Sequence, residues 1–298
     1  MCGIVGLFLK DKSMEAQLGT MLTDMLITMT DRGPDSAGIA IYSKESTNIG
    51  KLTVQSDTPD VDFNQLKDAL KQLIKGGIDI RVQSTHAVLE MRADQLESAR
   101  AELKEIRPNV RVMSSGDSLE IYKEVGLPKD VASRFDIAQM SGSHGIGHTR
   151  MATESAVTTM GAHPFNTGRD QCLVHNGSLS NHNSLRRKLR RDGVHIETEN
   201  DTEVGAAYLT WKMQNGSTLG EALESSLKDL DGFFTFVVGT KDGFGVVRDP
   251  IACKPAVMAE TDQYVAFGSE YRALVNLPGI EDARVWEPEP ATVYFWNH

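Results

Sequence analysis

The chain has 298 residues, enough for one large domain or two modest ones with a substantial buried core. A hydrophobic fraction of 40% and a charged fraction of 24% are typical of a soluble globular protein. The formal net charge of −10 disfavours a surface for nucleic acid or an anionic membrane, and the basic stretch at 185–191 is interpreted as a solvated helix face.

The three cysteines, Cys2, Cys172 and Cys253, form an odd and sparse set without paired spacing. Such a set disfavours a disulfide framework and favours a reducing compartment. The first residues lack the pattern of a secretion signal, and no run of about eighteen apolar residues occurs. We therefore expect a cytoplasmic protein without a membrane span.

The first predicted elements are a buried strand over 2–9 and a helix over 13–33, whose apolar residues recur at helical spacing. The turn-rich stretch RGPDSAG (32–38) then leads into a strand at 39–42. The leucines and methionines of the helix are typical of a core-facing stripe.

The character of the chain changes between about 55 and 139. A predicted helix (63–77) is followed by an alternating pair (78–92), a second helix (93–106) and a second alternating pair (110–125). We interpret the segment as a small inserted α/β subdomain with its own two-layer packing. It contains no tight catalytic spacing, so we expect a structural or partner-facing role.

The remainder of the chain alternates between strands and helices and ends in short β-rich runs. A strand-like run (146–153) and the stretch CLVHNGSLSN (172–181) precede helices over 182–192, from about 200, and over 218–232. The short runs between 233 and 296 have the turns of antiparallel hairpins. These hairpins argue against a doubly wound parallel sheet.

Cys2 directly follows Met1, and its small side chain favours removal of that methionine. The freed α-amine, with a reference pKa of about 7.7–8.0, would lie on the same residue as the thiol and could accept its proton. The simpler interpretation is that Cys2 is a small hydrophobic residue at the start of a strand.

Two other arrangements remain open at this point. One is a conventional dyad of Cys172 or Cys253 with a histidine, although Cys172 and His175 would lie on opposite faces of a strand. The other is a metal site, which matches no familiar zinc spacing. Its candidate ligands would be His144, His148, Cys172 and His175.

Six short motifs follow one another along the chain: CGIVG (2–6), RGPDSAG (32–38), GHTRMAT (147–153), AHPF (162–165), HNGSLSNH (175–182) and NDTEV (200–204). In these motifs and their order the chain resembles class II glutamine amidotransferases over nearly its whole length. The resemblance implies an α+β fold, the N-terminal-nucleophile (Ntn) hydrolase αββα four-layer sandwich. It covers residues 2–298, with the inserted subdomain at about 55–139.

The resemblance also implies the site residues. Cys2 matches the nucleophile that attacks the glutamine side-chain amide, and Asn176 with Gly177 matches the oxyanion hole, although Asn-Gly is also a common hairpin turn. Arg150 and Asp201 match the groups that bind the substrate α-carboxylate and α-ammonium; Asp201 would alternatively cap a helix. Weaker matches in the site wall and the closing loop are Thr153, His163, Arg32 and Gly33.

Several family members have tryptophan where this chain has Met151, so closure over the site is expected to differ. The resemblance further implies L-glutamine as substrate and ammonia transfer to separate synthase subunits, as in glutamate-synthase-like complexes such as N-methylglutamate synthase. We expect no metal or cofactor in this chain, with flavin mononucleotide (FMN) and iron–sulfur centres in the partner subunits. The alternatives are another Ntn amidohydrolase, such as an acylase, and a non-catalytic regulatory subunit.

Overall fold

The computed structural model describes residues 2–43, 48–152 and 156–298. Within them lie sixteen strands and eight α-helices. The strands are β1 (Gly3–Leu9), β2 (Ser36–Tyr42), β3 (Ile49–Gln55), β4 (Ile78–Gln83), β5 (His86–Arg92), β6 (Arg111–Gly116), β7 (Leu119–Val125), β8 (His144–Arg150), β9 (Phe165–Gly168), β10 (Gln171–Leu179), β11 (Gly232–Thr240), β12 (Gly243–Arg248), β13 (Val257–Glu260), β14 (Tyr264–Gly268), β15 (Arg284–Trp286) and β16 (Val293–Asn297).

The α-helices are α1 (Leu18–Thr28), α2 (Pro59–Asp62), α3 (Leu66–Lys71), α4 (Leu96–Ile106), α5 (Pro128–Arg134), α6 (His182–Arg191), α7 (Asp201–Gln214) and α8 (Leu219–Asp229). Short 3-10 helices occur at Lys12–Gln17, Thr30–Arg32, Ala93–Gln95, Ile137–Gln139, Tyr271–Ala273 and Ile280–Asp282. No helix among the described residues is both long and apolar enough to cross a membrane.

Two antiparallel sheets form the centre of the molecule. The seven-stranded sheet has the order β15-β13-β14-β1-β8-β2-β7, and the five-stranded sheet has the order β16-β12-β11-β10-β9. Ile4 and Phe8 of β1 pack with Val174 of β10 and Val237 of β11 in the core between the sheets. At Gly6 a Cβ atom would approach the Phe244 ring to 2.7 Å, so the sheets pack closely there.

Helices cover the outer face of each sheet. Alternate residues of β1, Val5 and Leu7, share a core with Leu22 of α1 and with α5. On the opposite side, α6, α7 and α8 pack against the five-stranded sheet, where Leu209 and Phe236 share a second core. The resulting layers are helix, sheet, sheet and helix, so the predicted α+β αββα sandwich is confirmed.

A separate four-stranded antiparallel sheet, with the order β4-β5-β3-β6, forms the inserted subdomain. Its own core includes Leu52, Leu70, Leu89 and Leu103, and α3 and α4 cover one face. This sheet uses residues between 49 and 116.

The predicted pairing of the two alternating segments at 110–125 is wrong. β6 pairs with β3 in the four-stranded sheet, whereas β7 pairs with β2 at the edge of the seven-stranded sheet. Tyr122 of β7 is fully buried in the same core as α5, which also lies within the range 55–139. Apolar and polar residues alternate in the same way in both segments. Such alternation indicates a half-buried strand but does not show which strand it pairs with.

Candidate active site

Cys2 lies immediately before β1, between two neighbouring strand ends. Gly3 is opposite Thr149 of β8, and on the other side Val5 is opposite Gly268 of β14. Cys2 is half-buried, and its Sγ lies 3.8 Å from the carbonyl oxygen of Met151, which follows β8. The thiol is therefore held beside the chain that leaves β8.

The carbonyl oxygen of Cys2 accepts two side-chain hydrogen bonds. Arg32 Nε and Asn176 Nδ2 both donate to it, each at 3.0 Å. Arg32 is only 8% exposed and forms an ion pair with Glu270 at 2.5 Å. This hydrogen bond from Arg32 is the main reason why the pKa of the Glu270 carboxyl lies below its ordinary value.

Ser269 links the start of β1 to Asn176. Its hydroxyl accepts a hydrogen bond from the Ile4 amide at 2.9 Å and a longer one from Asn176 Nδ2 at 3.3 Å. The amide of Ser269 in turn donates to the Ile4 carbonyl at 2.9 Å. The buried Oδ1 of Asn176 has no hydrogen-bond partner among the described residues.

Two glycines allow the chain segments around Cys2 to approach closely. A Cβ atom on Gly33 would lie 2.4 Å from the carbonyl carbon of Thr149. Gly177 has a φ of +145°, and a Cβ there would lie 1.9 Å from the Phe233 carbonyl oxygen. Both positions therefore require glycine for backbone packing.

Arg150 ends β8 next to Cys2 and is 8% exposed. Its carbonyl accepts from the Asp35 amide at 3.1 Å, and the Asp35 carboxylate accepts from the Ala152 amide at 2.8 Å. The RGPDSAG turn thus holds the end of β8 in place. Thr153, the other predicted residue of this motif, lies outside the described residues.

Asp201 is the first residue of α7, but it is not the helix cap. Asn200 caps the helix, because its side chain accepts from the Thr202 amide at 2.8 Å. Asp201 instead accepts from the amide of Leu179 at 2.9 Å, and its other oxygen lies 3.9 Å from His175 Nδ1. The carboxylate is thereby fixed to the end of β10, the strand that carries Asn176.

His163 belongs to a group of three buried histidines beside Asn176. Its ring packs against that of His148 in a tilted arrangement with centroids 4.0 Å apart, and His148 Nε2 lies 3.2 Å from the carbonyl oxygen of His175. Burial lowers the pKa of all three imidazoles, that of His148 to about 3. All three imidazoles are therefore neutral at pH 7, and the role of His163 in the site wall stays a prediction.

The structure does not support the alternative centres considered from the sequence. Cys172 is fully buried, burial raises the pKa of its thiol to about 12, and the Tyr42 hydroxyl donates to it at 3.4 Å. Cys253 is exposed. Across 2–43, 48–152 and 156–298, no three His, Cys, Asp or Glu side chains are placed to hold a metal ion.

Sequence reasoning missed Ser269 and Glu270, which follow β14 in the stretch YVAFGSE (264–270). The sequence predicts it only as one of the short β-rich runs between 233 and 296. A polar pair directly after a buried strand was the available signal, since such residues have to find partners at the sheet edge. They follow β14, and the antiparallel pairing of β14 with β1 places them near Cys2.

Comparison with known proteins identifies the family. The chain is 70% identical over 300 residues to the glutamine amidotransferase-like protein GlxB of Rhizobium meliloti, covering 100% of this chain and 99% of GlxB. It is 35% identical to a putative glutamine amidotransferase of Methanothermobacter thermautotrophicus, covering 99% of both chains. The chain belongs to the glutamine amidotransferase family. A family model described as a glutamine amidotransferase domain also matches residues 148–276.

Longer glutamine amidotransferases match more locally. A glutamine–fructose-6-phosphate aminotransferase of Vibrio vulnificus is 36% identical over 129 residues, which are 43% of this chain and 21% of that enzyme. Among solved structures, the glutamine phosphoribosylpyrophosphate amidotransferase of B. subtilis has a TM-score of 0.63 at 20% identity. The alignment covers 99% of this chain and 47% of that one, so this chain spans about half of the solved chain and shares the fold of that half.

Proposed function

We propose that this chain is a class II glutaminase that hydrolyses the side-chain amide of L-glutamine through a thioester on Cys2. The observation that carries the proposal is the double hydrogen bond from Arg32 and Asn176 to the Cys2 carbonyl. It fixes the backbone of the residue while the thiol remains half-buried and accessible. A cysteine that merely filled a strand would not need two polar side chains on its carbonyl oxygen.

The proposed reaction requires removal of Met1. The free α-amine of Cys2 accepts the thiol proton, and Sγ attacks the amide carbon of the substrate. The carbon–nitrogen bond then breaks, the α-ammonium returns the proton to the leaving nitrogen, and ammonia departs. Water hydrolyses the thioester to glutamate and restores the thiol.

Asn176 and Gly177 are the proposed donors to the oxyanion of the tetrahedral intermediate. Both Nδ2 protons of Asn176 are engaged, one by Cys2 at 3.0 Å and one by Ser269 at 3.3 Å. The longer bond to Ser269 is the weaker of the two. We therefore expect Asn176 to give up that bond when it donates to the oxyanion.

Arg150 and Asp201 are the proposed contacts for the amino-acid head of glutamine. A guanidinium forms paired hydrogen bonds with a carboxylate, and a carboxylate pairs with an ammonium group. Backbone hydrogen bonds fix both residues in place, Arg150 through Asp35 and Asp201 through Leu179. Two fixed groups of opposite charge favour recognition of a zwitterion over the uncharged acyl chain that an acylase would bind.

The direct test is glutamate release by the purified protein and by Cys2→Ala. We expect release by the wild type, loss of release in Cys2→Ala, and normal release in the matched variant Cys253→Ala, which changes an exposed cysteine. Intact mass gives the fraction without Met1. Equal release by Cys2→Ala would contradict the proposal, and preferential turnover of an acyl-amide would favour the acylase alternative.

We further propose that the ammonia passes to a separate synthase subunit, of the glutamate-synthase or N-methylglutamate-synthase type, in the cytoplasm. The Vibrio aminotransferase is matched over 21% of its length, so most of that enzyme has no counterpart among these 298 residues. FMN and iron–sulfur centres would belong to the partner subunits. Copurification from the native host with mass spectrometry tests this; recovery of the chain alone, with full glutaminase activity, would contradict it.

A further inference from the structure

A cavity of about 580 Å³ lies between the inserted subdomain and the central sandwich. Residues of α4 and β6 line one side, and residues of β7, β9, α7 and the segment 193–198 line the other. Neither Cys2, Arg32 nor Asn176 lines it, so it is separate from the candidate active site. Its volume is in the range of small-molecule sites.

Two buried groups of opposite charge face this cavity. Lys123 is 3% exposed and Glu203 is 7% exposed. Lys123 Nζ donates to the carbonyl oxygens of Ala162 at 2.8 Å and Pro164 at 3.1 Å. Because an ammonium group has three N–H donors, one remains for another acceptor.

Glu203 is also incompletely used. Its Oε2 accepts from the Thr198 amide and hydroxyl, whereas Oε1 accepts only from the Glu197 amide at 2.7 Å. A carboxylate oxygen accepts about two hydrogen bonds, so Oε1 retains capacity for a donor.

Lys123 and Glu203 do not pair with each other. No ion pair within 4.0 Å joins them in the part of the chain that the structure describes, although Glu203 raises the pKa of Lys123. Burial has the larger and opposite effect and lowers the pKa of Lys123 to about 7. Buried charges without a direct partner are costly unless another group satisfies them.

The rest of the wall is mixed: it carries further charged residues, among them Glu97, Arg100, Arg111 and Glu197, beside apolar side chains. Phe165 lies under Lys123 Nζ, with the ring centroid 4.4 Å away, and Leu103, Val112 and Met113 line the insertion side. A lone anion would satisfy Lys123 and repel Glu203, while a lone cation would do the reverse. A ligand that carries both charges and an apolar part fits the lining.

We propose that this cavity binds a free amino acid in its zwitterionic form. Its carboxylate would accept from Lys123 Nζ, its ammonium would donate to Glu203 Oε1, and its side chain would contact Phe165 and Val112. The proposal does not depend on glutaminase activity, because binding can be measured on an inactive protein.

The test is calorimetric titration of Cys2→Ala, which leaves amino acids intact, with each of the twenty standard L-amino acids. We expect at least one to bind, and Lys123→Met and Glu203→Gln each to weaken that binding by about tenfold or more, since each removes a charged hydrogen bond. Asp201→Asn alters the other proposed zwitterion site and should leave this binding unchanged. Val112→Phe narrows the cavity without removing a charge and should also weaken binding.

A crystal structure with the amino acid that binds most tightly would show where in the protein it binds. Density for the amino acid between Lys123 and Glu203 would support the proposal. Absence of binding across the panel, loss of binding only in Asp201→Asn, or ordered water alone in the cavity would overturn it.

Discussion

Arg32 and Asn176 come from distant parts of the chain, yet both donate to the carbonyl oxygen of Cys2 at 3.0 Å. Each is held in turn by a residue after β14, Arg32 by Glu270 and Asn176 by Ser269. The nucleophile candidate is therefore positioned through its backbone.

Asn176→Ala removes one donor to the Cys2 carbonyl and the proposed side-chain donor to the oxyanion. We expect kcat for glutamine hydrolysis to fall about 10²–10³-fold with little change in KM, because the oxyanion forms during formation and hydrolysis of the thioester and is absent from bound glutamine. Steady-state kinetics on folded protein would check this. A kcat within twofold of the wild type would remove Asn176 from the mechanism.

Glu270→Gln tests the support of Arg32 through pH. The hydrogen bond from Arg32 lowers the pKa of Glu270 below 4.5 in the folded protein, so its contribution to stability is present above pH 4.5 and is lost as pH falls through the folded pKa. We expect the difference in unfolding free energy between wild type and Glu270→Gln to shrink as pH falls from 6 toward 3. Urea unfolding at a series of pH values measures it.

The matched control for that experiment is Glu105→Gln, which changes an exposed carboxyl on α4. Its difference from the wild type should not follow the same pH profile. If the difference in unfolding free energy between wild type and Glu270→Gln stays constant across this pH range, the charge of Glu270 does not stabilise the position of Arg32.

At the scale of elements, the site forms where the ends of β1, β8 and β10 meet the RGPDSAG turn. Gly33 of that turn lies against the backbone of Thr149 and Arg150, and Asp35 bonds to both sides of the same strand end. The close approach sets the distance between the turn and Cys2. A side chain at Gly33 would push the turn away.

Gly33→Ala should lower the free energy of unfolding by about 1–3 kcal/mol, because its Cβ would approach backbone atoms that have no room to move. The matched control is Gly220→Ala on α8, where a Cβ would meet nothing within 4 Å. That change should be neutral or stabilise by up to about 1 kcal/mol, since alanine favours helix. Urea unfolding of both variants decides; equal effects would contradict the packing argument.

At the scale of the whole molecule, Glu120 joins the inserted subdomain to the central sandwich. From β7 it pairs with Lys51 of β3 at 2.8 Å and with Arg81 of β4 at 2.7 Å. Glu120 and Lys51 are almost fully buried. These two ion pairs fix the subdomain, and hence one wall of the 580 Å³ cavity, relative to the sandwich.

Glu120→Gln should destabilise the protein by about 3–5 kcal/mol, because it removes the nearer and buried countercharge of the Lys51 ammonium. Glu90→Gln is the control, since Glu90 is more exposed and lies 3.9 Å from the same ammonium. It should cost less than about 1 kcal/mol. Equal losses in denaturant unfolding would show that the buried pair does not hold the two parts together.

Much of this organisation is predictable from sequence, and the failures have physical causes. The continuous apolar run of β1 identifies a fully buried strand, and the helical spacing of apolar residues in α1 identifies a helix with one buried face. The predicted partner of β7 is wrong, because its alternation of apolar and polar residues fits a place beside β6 as well as the place beside β2. Ser269 was missed, because a residue type does not reveal which distant amide its hydroxyl will meet.

The assignment of adjacent polar residues has the same limit. Asn200 and Asp201 are both good helix caps, and only the structure shows that Asn200 caps α7 while Asp201 bonds to Leu179. The motif order did identify the family, which the 70% identity to GlxB confirms. The roles of the individual site residues remain predictions.

The most direct measurement is labelling of the purified protein with the glutamine analogue 6-diazo-5-oxo-L-norleucine, followed by peptide mass spectrometry. We expect one adduct, on a peptide that begins at Cys2 and lacks Met1, and no adduct in Cys2→Ala. An adduct on Cys253, or an unmodified Cys2 in protein that still releases glutamate, would contradict it.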